Sequence, residues 1–226
     1  MRKTAIICAL FFSVSGLFAG DIANFVNLGF SADGNRFVFG QHGVSDGDFA
    51  GYADIWAVDV PKNAFLTGGK FSTAASAATA GKDGNGVFAA LQNAAAPFLA
   101  KNGIDSSRKG RSLYVQAEDI PSLREIAFRD FETGSSYKVS VTVKVSGSGA
   151  DARSSFYLTV SVTDKSGKAT VKTVGLPGYE RPGVKDYLVR RVLTDDTGKS
   201  VVFVIEKTVY DRKGDSVRYM VETLRL

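Results

Sequence analysis

The chain has 226 residues, of which 44% are hydrophobic, and a formal net charge of +5 at pH 7. This composition is typical of a globular protein and excludes an intrinsically disordered chain. The only cysteine, Cys8, lies in an apolar N-terminal segment. A chain cleaved after that segment has no disulfide and no cysteine metal site.

The first 20 residues have the three parts of an export signal. Arg2 and Lys3 form a positive start, an apolar run of 11 residues follows, and small residues offer cleavage after Ala19 or Gly20. The apolar run is too short to span a bilayer. We therefore predict a signal peptide over residues 1–20, a periplasmic or secreted mature protein, and no transmembrane anchor after cleavage.

The mature chain, residues 21–226, is predicted to form a single β-rich domain. Residues 21–71 contain four short apolar runs separated by turn sequences, which is typical of a β-meander the size of a propeller blade. Residues 72–85 are rich in Ala, Ser, Thr and Gly. This composition predicts a linker or loop between the meander and the rest of the domain.

Apolar residues recur at helical spacing over 86–103 and predict one Ala-rich helix packed on a sheet. Asn85 is the predicted N-cap, and Pro97 predicts a kink or break near Ala96. Residues 111–226 alternate apolar and polar side chains, which is typical of antiparallel strands with one buried face. The expected fold is α+β and β-dominated, with antiparallel sheets and propeller-blade-like hairpins at both ends.

The two ends of the domain share a weak sequence repeat. The stretch "RRVLTDDTGKSVVFVIE" aligns with "VNLGFSADGNRFVFGQH", which places Asp196 on Asp33 and Gly198 on Gly34. Asp accepts hydrogen bonds from nearby backbone amides, and Gly adopts positive φ without strain. We therefore predict that these four residues shape hairpin turns and carry no chemistry.

The segment "HGVSDGDFAGYAD" offers the best candidates for a ligand or metal site, and we interpret it as one long connection between strands. It contains four candidate side chains: His42, Asp46, Asp48 and Asp54. The alternation of Asp46 and Asp48 resembles oxygen-rich calcium loops, although the trailing Glu of such loops is absent. No catalytic group is assigned, because His42 is the only histidine and no nucleophile elbow is present.

The opening "FSADGNRFVFG", followed by "ADIWAVDV", resembles the repeat of TolB-type, WD40-like propellers. The whole layout resembles a family of predicted secreted proteins that carry the domain of unknown function 2259. That second resemblance rests on the signal, the "FSADGNRFVFGQHGVSDGDFAGYADIWAVDV" opening and the "TDDTGKSVVFVIE" close. It implies export and a β-rich fold, and it implies no particular chemistry.

Three functions remain compatible with the sequence. The leading expectation is a non-enzymatic periplasmic module that binds an envelope protein or a small ligand, with no cofactor. One alternative is a hydrolase that uses the carboxylates of residues 42–54, with or without Ca²⁺. The other is a small outer-membrane β-barrel, although Lys-bearing strand faces argue against a lipid-facing band. Nucleic acid is not an expected partner, because the basic cluster around Arg108 has no interleaved aromatic residues.

Overall fold

The computed structural model describes residues 20–117 and 123–226, so the predicted signal peptide lies outside the described residues except for Gly20. The described chain forms one α-helix, two short 3₁₀ helices and fourteen strands. In chain order the strands and the helix are β1 (Asn24–Ser31), β2 (Arg36–Ser45), β3 (Ala50–Asp59), β4 (Ala64–Thr73), α1 (Gly84–Lys101), β5 (Ile104–Asp105), β6 (Arg111–Val115), β7 (Glu125–Arg129), β8 (Ser136–Ser146), β9 (Arg153–Thr163), β10 (Ala169–Gly175), β11 (Arg181–Pro182), β12 (Val184–Thr194), β13 (Ser200–Val209) and β14 (Ser216–Arg225).

These strands form three antiparallel sheets. Sheet I has the order β4-β3-β2-β1-β5, sheet II the order β14-β13-β12-β6, and sheet III the order β10-β9-β8-β7, with β11 also paired to β9. The β-dominated fold with antiparallel sheets and a single helix is therefore as expected. Within the described ranges each sheet is open, with an edge strand at either end of its order. None of the helices in these ranges is long and apolar enough to cross a lipid bilayer.

The helix and the sheets stack in four layers, in the order α1, sheet I, sheet II and sheet III. Val87, Phe88 and Leu91 of α1 pack against one face of sheet I, where Val38 and Ile55 are buried. Because successive strand residues point to opposite faces, the residues between these positions face sheet II. Sheet I therefore has no solvated face over its centre.

Sheet II is the middle layer, and β13 is its most buried strand. Val202 and Val204 pack against Phe37 and Phe39 of sheet I. The alternate residues of β13, with Phe203 among them, pack against sheet III. Burial on both faces explains the unbroken apolar run in β13, because burying each side chain of this size stabilises the fold by about 1.5–3 kcal/mol.

The segment that connects sheet I to α1 is more ordered than a linker. Strand β4 extends to Thr73, a 3₁₀ helix covers Ala77–Thr79, and α1 begins at Gly84. The N-cap is Asp83, whose carboxylate accepts a hydrogen bond of 2.5 Å from the amide of Gly86. The expected cap, Asn85, therefore lies inside the helix.

The helix continues without interruption through Pro97 to Lys101, so it does not break near Ala96, where a kink or a break was expected. Pro97 lacks the amide that would bond to the carbonyl of Asn93. Asn93 is exposed, and solvent therefore satisfies that carbonyl at little cost. The helix tolerates Pro97 because the missing bond falls on its solvated side.

Candidate functional site

Residues 42–54, expected to form a long connection, instead form a tight β-hairpin. Strands β2 and β3 pair from Arg36 with Asp59 to Ser45 with Ala50. Only residues 46–49 form the turn, and the amide of Phe49 donates to the carbonyl of Ser45 at 2.9 Å. Two of the four candidates, His42 and Asp54, therefore lie within paired strands.

His42 lies on the face of sheet I that packs against α1. Its ring is buried, and its centroid lies 5.2 Å from that of Phe88. Burial lowers the pKa of His42, and the negative charge of Asp83 partly opposes this shift. A neutral imidazole packed on an aromatic ring is typical of a core histidine.

Asp54 lies on the opposite face of sheet I, towards sheet II. Its carboxylate accepts hydrogen bonds from Gln41 Nε2 at 3.1 Å and from Ser72 Oγ at 2.5 Å. Gln41 Oε1 in turn accepts a hydrogen bond of 2.8 Å from the amide of Tyr219 in β14. Asp54 therefore belongs to a polar network that joins sheets I and II.

The remaining two candidates, Asp46 and Asp48, are exposed at the tip of the hairpin. His42 and Asp54 face opposite sides of the sheet, so the structure does not bring the four candidates together. Among residues 20–117 and 123–226, no group of three or more His, Cys, Asp or Glu side chains is arranged to hold a metal ion.

The two turns of the sequence repeat lie against each other. The amide of Gly34 donates to the carbonyl of Ser31 at 2.9 Å, and Gly198 donates to Asp195 at 3.0 Å. Both glycines have positive φ, +68° and +72°, which explains why Gly is required there. A Cβ atom added at Gly34 would overlap the carboxylate of Asp195.

Asp195, rather than Asp196, is the carboxylate that shapes the second turn. Its Oδ1 accepts from the amides of Lys199 and Ser200 at 2.9 and 2.8 Å, whereas Asp196 is exposed and pairs with Arg108 at 3.1 Å. The structural equivalent of Asp195 is Ser31, because each lies three residues before its glycine. The sequence alignment, which placed Asp196 on Asp33, therefore differs from the structural equivalence by one position.

A third turn, residues 130–134 of sheet III, extends this stack. The carboxylate of Asp130 is fully buried and accepts two hydrogen bonds from Arg111, at 2.7 and 3.1 Å. These bonds hold the pKa of Asp130 down at about 2, against the opposing effect of burial. A Cβ atom at Gly198 would overlap Thr133, so this end of the fold is a packed structural region.

The described residues enclose a groove of about 700 Å³ at the edge of the middle sheet, which we term the edge groove. Residues 220–225 of β14 form its floor. Residues 61–65, at the β3–β4 connection of sheet I, form one wall, and residues 172–176 of sheet III form the other. The groove lies at β14, the edge strand of sheet II, where residues of sheets I and III flank that edge.

A buried carboxylate and a guanidinium lie at the floor of the edge groove. Glu222 is only 5% exposed, and its Oε2 accepts a hydrogen bond of 2.5 Å from Asn63 Nδ2. Arg181 Nη2 lies 3.9 Å from Oε1 of the same carboxylate. Burial raises the pKa of Glu222, and both Asn63 and Arg181 oppose that shift.

Arg181 is held mainly by aromatic rings. Its guanidinium carbon lies 4.9, 5.2 and 5.8 Å from the ring centroids of Tyr179, Phe156 and Tyr187. Its Nη1 is buried and has no hydrogen-bond partner among the residues that the structure describes. An unsatisfied buried donor costs about 1–3 kcal/mol. Arg181 therefore retains hydrogen-bonding capacity next to the groove.

Arg181, Glu222 and Asn63 are not among the site residues predicted from the sequence. One signal was present: Glu222 falls between Met220 and Leu224 at a spacing of two, on the face of β14 that turns inwards. An acidic residue on a buried strand face is unusual and indicates a special site. Arg181 and Asn63 had no comparable signal, because Arg181 lies in the two-residue strand β11 and Asn63 in a connection, and the positions of both depend on the sheet stacking.

The stacked open sheets define the class of this protein as a β-dominated α+β fold with a groove at the edge of its middle layer. The sequence model of the family described as "Predicted secreted protein (DUF2259)" matches residues 38–225, so the chain belongs to that family. It is an exported protein, as its N-terminal sequence predicts. No curated protein and no solved structure matches the chain. The resemblance to propeller repeats is not confirmed, and the signal peptide and the periplasmic location stay predictions.

Proposed function

We propose that the protein is a non-enzymatic exported binding module, and that its ligand is a small molecule held in the edge groove. One observation carries this proposal: the Arg181–Glu222 pair lies at the floor of a cavity of about 700 Å³. Small-molecule sites typically have volumes of about 300–1,000 Å³, apolar walls and a few placed polar groups. The edge groove has all three properties.

The energetics of the floor support a binding role over a purely structural one. Glu222 and Arg181 are 3.9 Å apart, which is too far for a hydrogen bond between them. A buried ion pair with such geometry recovers little of its desolvation cost, and well-packed apolar residues would stabilise the fold better. A ligand with polar atoms would satisfy the groups that the protein itself leaves poorly paired.

The hydrolase alternative receives less support from the contacts of its candidate residues. His42 packs against α1, Asp54 faces sheet II, and the carboxylates at the hairpin tip are exposed. A hydrolase needs a base and a nucleophile within hydrogen-bond reach of one substrate atom. These four side chains cannot converge in that way without unfolding the hairpin.

A thermal-shift screen with a groove-filling variant tests the proposal. Ala64 lines the edge groove and is exposed, so Ala64→Trp fills the cavity at little cost to folding. Ala94→Trp is the matched control, because Ala94 is exposed on α1 at the other end of the layer stack. Metabolites from the cell envelope are added to the mature wild-type protein and to both variants.

We expect at least one compound to raise the Tm of the wild type and of Ala94→Trp, and to leave the Tm of Ala64→Trp unchanged. The proposal is contradicted if no compound raises the Tm, or if the shift is equal in all three proteins.

A further inference from the structure

The cationic side chains of the edge groove outnumber its carboxylates. Four cations line it, and Glu222 is its only carboxylate within the described ranges; the cations are Lys62, Lys172, Arg181 and Arg225. Three of them have acidic partners, since Lys62 pairs with Asp59 at 3.1 Å, Arg225 lies 4.0 Å from Asp195, and Arg181 lies 3.9 Å from Glu222. Lys172 has no such partner among the described residues, and Arg181 forms no hydrogen bond with Glu222.

Lys172 is the more accessible of these two cations. It lies on β10 two residues before the buried Val174, so it shares the inner face of sheet III. Lys172 is exposed and lines the groove. Its ammonium forms no hydrogen bond or ion pair with any other described residue. Lys172 and Arg181 together provide a positive region at the wall and floor.

The mouth of the edge groove is apolar. Phe65 on the sheet I wall is 47% exposed, and Leu176 and Tyr179 on the opposite wall are 60% and 56% exposed. Met220 adds a flexible thioether at the floor, and such side chains adapt to ligands of varied shape. Apolar side chains this exposed on two facing walls are typical of a surface that a ligand covers.

We propose that the ligand of the edge groove is an amphipathic anion of small size, with its acidic headgroup between Lys172 and Arg181. Its apolar part lies between Phe65, Leu176 and Tyr179. This inference rests on the proposed function, since it names the ligand class of the same site. Charge complementarity carries it, because four cations and one carboxylate line the groove, Lys172 has no acidic partner among the described residues, and the mouth of the groove is apolar.

An extended peptide that adds to β14 is a less suitable occupant. Strand addition needs free amides and carbonyls along the strand edge. In β14 the amide of Thr223 already donates to Asn63 Oδ1 at 2.7 Å, and the amide of Tyr219 donates to Gln41 Oε1 at 2.8 Å. These side chains from sheet I block the edge against another strand, as edge strands commonly require.

Calorimetry with probes of matched tails tests the ligand class. The mature protein is titrated with decanoate, decyltrimethylammonium and acetate, which separate the contributions of the tail, the charge and the headgroup. We expect decanoate to bind at one site, and the other two probes to bind at least tenfold more weakly. Lys172→Met should weaken decanoate about tenfold, which corresponds to 1.4 kcal/mol.

Two further variants complete the test. Arg181→Met should also weaken decanoate, but it leaves Glu222 buried without its cation and therefore requires a check of folding by circular dichroism. Lys172→Met has no such effect on the floor and keeps the test valid if Arg181→Met unfolds. Lys168→Met, in the exposed β9–β10 turn, is the matched control and should bind decanoate as the wild type does.

The inference is overturned if decyltrimethylammonium binds as tightly as decanoate, or if Lys172→Met and Lys168→Met bind decanoate equally well. It is also overturned if decanoate does not bind while an acidic peptide does. If none of the probes binds but the thermal-shift screen finds a compound that Ala64→Trp excludes, the binding function stands and only the ligand class is wrong.

Discussion

The hydroxyl of Ser200 donates a hydrogen bond of 2.6 Å to the carbonyl of Gly34, 166 residues earlier in the chain. Ser200 begins β13 of sheet II, and Gly34 lies in the first turn of sheet I, so one bond joins the two sheets at their turns. Arg225 reinforces it by donating both to the Ser200 hydroxyl and to the carbonyl of Asp33. The repeated hairpins therefore fix how the sheets stack.

Replacement of Gly34 by alanine is expected to destabilise the fold strongly. At φ +68° an alanine is strained, and its Cβ would overlap Asp195. Together these effects should lower the free energy of unfolding by roughly 2–4 kcal/mol. Gly167→Ala is the matched control, because Gly167 has φ +87° with open space around it and should cost only about 1–2 kcal/mol. Urea unfolding measures both, and equal losses would show that the contact between the turns is unimportant.

The buried Asp130–Arg111 pair should make part of the stability sensitive to acid. The pKa of Asp130 is lowered from 3.8 to about 2 in the folded protein, so the unfolded chain takes up its proton first as the pH falls. The contribution of the Asp130 carboxylate to the free energy of unfolding is therefore complete above pH 3.8 and is lost as the pH falls to about 2. It amounts to about 2 kcal/mol.

Asp130→Asn removes this contribution and is expected to flatten the stability profile over that pH interval, as measured by urea unfolding. The exposed Asp48→Asn is the control and should keep the wild-type profile. If the free energy of unfolding of Asp130→Asn falls as steeply with acid as that of the wild type, other carboxylates cause the acid sensitivity.

Lys207 is expected to destabilise the folded protein at neutral pH. Burial, together with the nearby cations Arg181 and Arg218, lowers the pKa of Lys207 from 10.5 to about 8, and Asp54 partly opposes this shift. Between pH 8 and 10.5 the unfolded chain therefore binds more protons than the folded one, and stability due to this group rises with pH.

Lys207→Met should accordingly stabilise the protein at pH 7 by up to about 3 kcal/mol. The gain should shrink as the pH rises past 8 towards 10.5. Lys138→Met, at an exposed position of β8, is the control without such a gain. A loss of stability in Lys207→Met would mean that the ammonium makes a favourable interaction in the fold.

The sequence predicted those features that depend on local pattern. The alternation of Tyr137, Val139 and Val141 predicted a half-buried strand, and these residues do lie in the core of sheet III. The layer order depends instead on pairings between distant segments, such as β6 with β12. No local pattern specifies such pairings, so the sequence left the position of β13 in a middle sheet undetermined.

Strand geometry explains why the structure does not bring the four candidate residues together. His42 pairs with Ala53, and Asp54 therefore pairs with Gln41, one position away. Because side chains alternate between faces, that offset of one places His42 and Asp54 on opposite sides of the sheet. The edge groove depends on Arg181 and Glu222, which come together only after sheets II and III have stacked.

Calcium is expected to leave the protein unchanged, although Asp46 and Asp48 resemble part of a calcium loop. At the hairpin tip the ammonium of Lys213 donates a hydrogen bond of 3.2 Å to the carbonyl of Gly47, so a cation already occupies the carbonyl that a metal would need. Calcium prefers six to eight oxygen ligands, and two exposed carboxylates beside a lysine do not provide them. Titration with millimolar CaCl₂ should therefore give neither heat nor a change in Tm. Lys213→Gln tests the reason: binding in this variant alone would mean that the lysine excludes the ion, whereas binding in the wild type would restore the calcium hypothesis for the hairpin.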